Sequence, residues 1–181
     1  MLKKILLSLV TLIVIAVVML VIVIQYVKPT EQLDLQYQEI SIPNKIADMI
    51  LSRKLEVRLS EEDINNLLKK QLATHRELPN DFQLDGAKLN LQGSMIEADV
   101  NARWQERIPV GAHAVFTLAW EPPNLVIKHV STQVRNLQLP SDWLQLAPVE
   151  IPIESFLPKL VGIKNMRFED KAIVIQLKAF Q

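Results

Sequence analysis

Hydrophobic positions follow three different rules along this chain. From Ile5 to Ile24 they form an unbroken run, ILLSLVTLIVIAVVMLVIVI, interrupted only by Ser8 and Thr11. A bilayer core takes about 20 apolar residues as a helix, so the run predicts a transmembrane helix over 5–26. A polar connector with prolines near both ends, Pro29 and Pro43, follows. Inside it Leu33, Leu35 and Tyr37 alternate with polar residues, which predicts an extended course over part of its length. Asn44 then reads as the N-cap of a short helix through about Arg53, with Ile46, Met49 and Ile50 on one face.

In LSEEDINNLLKKQL the apolar period becomes helical. Ser60 with Asp63 three residues on is a variant of the capping box, and Glu61, Glu62 and Asp63 sit where the helix dipole favours negative charge. Ile64, Leu67, Leu68 and Leu72 give one apolar stripe, and the helix is expected to end near His75, ahead of Pro79.

Beyond Phe82 the period is two. Ile96, Ala98, Val100, Ala102 and Trp104 alternate with Glu97, Asp99, Asn101 and Arg103, a half-buried strand. Gly93-Ser94 turns into it from an earlier strand carrying Leu89 and Leu91, and the apolar parity shifts around Gly86, which predicts a bulge. The segments 110–120 and 125–139 flank Glu121-Pro122-Pro123-Asn124 and read as a hairpin with a four-residue loop. With Trp120 opposite Leu125, Leu118 meets Ile127, Phe116 meets His129, Val115 meets Val130, Ala114 meets Ser131 and His113 meets Thr132. One face of that hairpin is apolar and the second is mixed, so a helix, a partner or an apolar ligand is expected to cover part of the second face. Pro140, Pro148, Pro152 and Pro158 break up an aliphatic segment in which residues 141–144 start a short helix. A final hairpin turns at 169–171. The expected fold is α+β: the membrane helix, then one domain of N-terminal helices packed on a curved antiparallel sheet.

Charge gives the anchor a direction. Lys3 and Lys4 precede the apolar run, and basic residues beside a span stay cytoplasmic. Residues 1–4 are therefore a cytoplasmic leader, 5–26 a transmembrane signal anchor, 27–43 a linker and 44–181 an extracytoplasmic domain. The apolar core exceeds that of a cleaved signal, and no small-x-small site follows it. Tyr26 suits the outer headgroup level. With no cysteine the outer domain relies on its core, which points to a bacterial cell envelope over a disulfide-rich secreted module. The 20 basic and 20 acidic residues balance, and no basic stripe marks a nucleic-acid partner.

Candidate chemistry is sparse. In the hairpin register His113 and His129 point to opposite faces, His75 sits at a helix end, and no metal or cofactor site is expected. Capping accounts for Glu61, Glu62 and Asp63 without an acid/base role. No nucleophile motif or phosphate loop occurs, and Trp104, Trp120 and Trp143 read as packing residues before sugar or lipid contacts. The chain therefore reads as a non-enzyme.

The order of features resembles the YpmS family of membrane-anchored bacterial proteins. The resemblance rests on VRLSEEDINNLL (57–68), LNLQGSMIEADV (89–100), RIPVG (107–111) and VRNLQLPSDWL (134–144). It implies a single N-terminal span and an outward domain, and it carries over no active residue. The function expected from these readings is a binding module for a lipid or another apolar ligand beside the bilayer. Val115, Phe116, Leu118, Trp120, Ile127 and Val130 are the candidate ligand contacts. The alternative is a scaffold that buries its apolar face against an envelope protein.

Overall fold

The computed structural model describes residues 2–40, 56–144, 146–157 and 161–179. The expected helix after Asn44 lies outside them. Helix α1 (Leu2–Val27) has no interior charge beyond Lys3 and Lys4 and is long and apolar enough to cross a membrane. From Lys3 onward its side chains are exposed until Ile24 and Val27, where the last turn meets the rest of the chain.

The strands form two antiparallel sheets. The larger contains β2 (Glu77–Leu78), β3 (Phe82–Gln92), β4 (Met95–Trp104), β5 (Ile108–Glu121), β6 (Asn124–Val134) and β7 (Leu137–Gln138) in that order. After α3 (Ser141–Leu144), the short helix of the proline-rich segment, β8 (Val149–Ile151) also pairs with β6. The predicted bulge is present in β3 between Leu84 and Gly86. The β5–β6 hairpin keeps the expected pairs Trp120–Leu125, Leu118–Ile127 and Phe116–His129. Its turn is tighter than expected, because Glu121 and Asn124 pair directly.

Past Phe116 the register departs from the expectation. Val115 pairs with Ser131, Ala114 with Thr132 and His113 with Gln133, so Val130 is left over in a bulge. The extra residue restores apolar parity, because it returns Thr132 and Val134 to the face occupied by Leu125. His129 Nε2 and Thr132 Oγ1 lie 2.8 Å apart across this bulge, which gives the buried hydroxyl a partner.

The smaller sheet was not anticipated as a separate unit. It orders β1 (Glu56–Ser60), β10 (Ala172–Ala179) and β9 (Val161–Glu169), so the C-terminal hairpin pairs with the strand that leads into the capped helix. That helix, α2 (Glu61–Thr74), starts at the expected cap: Ser60 accepts from the Asp63 amide, and Asp63 accepts from the Ser60 amide at 2.8 Å. Replacing Ser60 by alanine is expected to cost about 1 kcal/mol, read as a lower denaturation midpoint with unchanged slope.

One core lies between the sheets. Val57, Leu59, Ile163, Met166, Ile173, Ile175 and Leu177 from the small sheet meet Leu91, Ile96, Leu118 and Leu125 from the large one, with Ile64 of α2 among them. A second core gathers Leu84 and Ala87 of β3 with Leu35 of the connector, flanked by Leu72 and Ala73 of α2. The helix therefore contributes its first turns to one core and its last turns to the other.

Candidate functional site

The described part of the connector, residues 28–40, is a strap fixed to the domain. Gly86, Asn101 and Gly111 form one row across β3, β4 and β5, because Gly86 pairs with Asn101 and Asn101 with Gly111. The strap crosses this row. A Cβ on Gly111 would stand 2.7 Å from Pro29 Cα, and one on Gly86 would run into the Leu33 carbonyl. Between them Asn101 Nδ2 donates to the Glu31 carbonyl at 2.8 Å. Two glycines and one short amide thus form a furrow in which backbone lies directly on sheet, a close approach that needs the missing side chains.

Both ends of the strap are held. At its start Arg135 donates from Nε to the Tyr26 carbonyl and from Nη2 to the Lys28 carbonyl, each at 3.0 Å. These lie at and just beyond the last turn of α1, where helix carbonyls lack intrahelical partners and a cation is favoured. At its other end the strap rounds β3: Ala87 N–H donates to the Asp34 carbonyl at 3.2 Å, and Leu35 enters the second core. Gln38 N–H then donates to Asn66 Oδ1 on α2. Exposed pairs Lys88–Glu31, Lys69–Asp34 and Lys70–Glu39 line the path, each a minor contribution in water.

The edge of β3 beyond the strap is closed by side chains of α2. Asn65 reads the backbone of Leu89 as a neighbouring strand would: Oδ1 accepts from Leu89 N–H at 2.9 Å and Nδ2 donates to Leu89 carbonyl at 2.6 Å. Glu61 Oε2 accepts from Leu91 N–H, and Lys171 N–H donates to the Leu91 carbonyl. An edge that would otherwise recruit another strand is thereby satisfied. Glu61 and Asp63 both serve the fold, one at this edge and one at the cap. Beside them Gln38, Glu62, Asn66, Lys69 and Lys88 border an open polar hollow of 380 Å³.

The six sequence-derived candidates fall into two groups. Phe116, Leu118, Trp120 and Ile127 share the inward face: Leu118 is 5 % exposed, and the other three pack against the core between the sheets. Phe116 also sets its ring at 5.5 Å from that of His129 in an edge-on contact. Val115 lies on the opposite face and is half-buried, and Val130 is 51 % exposed in the bulge. The second hairpin face is covered in part, as its composition suggests: Val126 there is 3 % exposed, and the strap crosses the same face farther along the strands.

Polar pairs on the sheet do not converge. His113 Nδ1 lies 2.8 Å from Asp99 Oδ1 on the strap face, whereas His129 faces the core side. A relay through both rings is therefore blocked by the sheet. Arg103 forks onto Asp85, the extra residue of the β3 bulge, with Nε and Nη2 each at 2.7 Å. The hydrogen bond to Asp85, then its charge, raises the guanidinium pKa above its ordinary value. Among the described residues, no three His, Asp or Glu side chains gather as a metal site.

Sequence reasoning missed the residues that hold the strap. Arg135 and Asn66 carry no local signal. Gly111 does: the chain has four glycines, and this one interrupts a strand of alternating apolar residues. Aligning it through the β4–β5 register with Gly86 would have revealed the furrow. No family model, curated protein or solved structure matches this chain.

Proposed function

We propose that this chain is a single-pass membrane protein, N-terminus inside, whose outer domain is a non-enzymatic binding module for a lipid or another apolar ligand of the cell envelope. The resemblance to the YpmS family agrees with that reading. The observation that carries it is the strap. Arg135 at the end of α1 and the furrow of Gly86, Asn101 and Gly111 leave no free tether between helix and sheet. Such a domain is held at one height over the bilayer, where its ligands are those the membrane presents. Phe116, Leu118, Trp120 and Ile127 make the apolar floor beneath the small sheet, and a ligand would enter by parting the sheets along it.

The second reading is a scaffold for an envelope protein. It is favoured by the exposure of Val130 and Val149, both on or beside β6. Lipid analysis of the full chain, purified in mild detergent, separates the two. The first reading expects a defined lipid that survives purification and is lost in Phe116→Ala and Ile127→Ala. Absence of any retained or saturably bound lipid, together with one recurrent protein crosslinked in cells, would replace it with the second.

A further inference from the structure

We infer that the end of the large sheet bearing Trp104, Leu137 and Trp143 rests in the headgroup layer of the same bilayer that α1 crosses. The inference builds on the proposed membrane span and adds a second point of membrane contact. The strap fixes which end of the sheet is near. Pro29 lies over Gly111, three residues from the start of β5, and Arg135, one residue past β6, binds the carbonyls of Tyr26 and Lys28. The last turn of α1 lies against β5. Glu121, ten residues beyond Gly111 at the other end of β5, is about 33 Å farther along the strand.

The near end also carries the exposed large apolar side chains that an interface would use. Leu137 is 63 % exposed, Trp143 45 % and Trp104 38 %. Trp143 is not loosely placed: its ring meets Phe82 edge-on at 5.8 Å, and its carbonyl accepts from Asn80 Nδ2 at 2.6 Å. Phe82 pairs with Trp104, so both indoles belong to one corner of the sheet. Tyr26, half exposed at the helix end, marks the level at which aromatic rings settle between hydrocarbon and water. This end of the sheet and its neighbours carry Lys28, Arg76, Arg107 and Arg135 alongside Glu77, Asp81, Glu106 and Asp142. Their signs balance, so the occupant that fits is the zwitterionic headgroup region, entered by indole and leucine side chains, and not an acidic polymer.

The far end of the sheet supplies the control. Met95, 40 % exposed and on the face away from Phe116, pairs with Thr117, nine residues along β5 from Ile108, the partner of Trp104, about 30 Å of extended strand away. The test reconstitutes the full chain in phosphatidylcholine vesicles whose upper acyl chains carry bromine, a short-range quencher of indole fluorescence. In Trp120→Phe the remaining Trp104 and Trp143 are expected to lose about half their emission relative to unbrominated vesicles. In a chain with Trp104, Trp120 and Trp143 replaced by phenylalanine and with Met95→Trp, the single indole is expected to keep its emission. The unmodified chain, free of any folding penalty, is expected to be quenched in part. Carbonate-resistant chains with unquenched Trp104 and Trp143, or with the Met95→Trp indole quenched equally, would overturn the inference while leaving the span intact. Chains stripped from the vesicles by carbonate would instead overturn the span, and the inference with it.

Discussion

Replacing Leu118 with alanine is expected to destabilise the domain by about 2–5 kcal/mol, the range for a large-to-small change in a well-packed core. Leu118 is 5 % exposed between the two sheets, among Ile96, Leu125 and the residues of β9 and β10. Those neighbours belong to strands already paired, so they have little freedom to close the gap. The same substitution distinguishes a core that stays closed until a ligand parts the sheets from a chamber that is already open. In a chamber already open to solvent or ligand, truncating one wall residue removes few contacts. Denaturant titration of the full chain in detergent checks this: a loss below about 1 kcal/mol would place Leu118 on a cavity wall.

Gly86→Ala is expected to cost about 1–3 kcal/mol by a different route. The new methyl collides with backbone, the Leu33 carbonyl and the Asp34 amide, and backbone cannot rotate away as a flexible side chain can. Either the strap lifts or the β3 bulge distorts. Lifting breaks the bond from Ala87 N–H to the Asp34 carbonyl and withdraws Leu35 from the second core. Gly111→Ala forces the same segment off the sheet at Pro29. Once one substitution has raised the strap, the second has less to displace, so the double variant is expected to cost less than the sum of the two. Independent, additive costs would mean that the strap is not one unit. Faster hydrogen exchange at Ala87 in either variant would locate the damage.

Local patterns in the sequence carried much of this architecture. Ser60 and Asp63 form the cap their spacing suggests, Gly86 sits in the bulge implied by the parity of Leu84 and Leu89, and the final hairpin turns at Asp170-Lys171. What was not legible depends on contacts between distant segments. The pairing of Glu56–Ser60 with β10 joins residues more than a hundred positions apart, and no feature of EVRLS announces its partner. The Val130 bulge is hidden because both registers give an apolar face near Phe116, and only the placement of Thr132 and Val134 separates them. Candidate ligand contacts were chosen by apolar character, which marks core and ligand pocket alike. Phe116, Leu118, Trp120 and Ile127 are inward for the first reason whether or not they serve the second.

The strap gives the domain a fixed pose relative to α1. The chain contains no cysteine, so a pair introduced at Gln25 and Gln92, both exposed, can be spin-labelled without background. Electron–electron distance measurement on the full chain in lipid nanodiscs reads the spacing between the helix end and the β3–β4 turn. A free coil over the 13 residues 28–40 would spread its ends by about 20 Å. One narrow distance peak is expected, broadening in Gly86→Ala; a broad distribution in the unmodified strap would contradict a fixed pose.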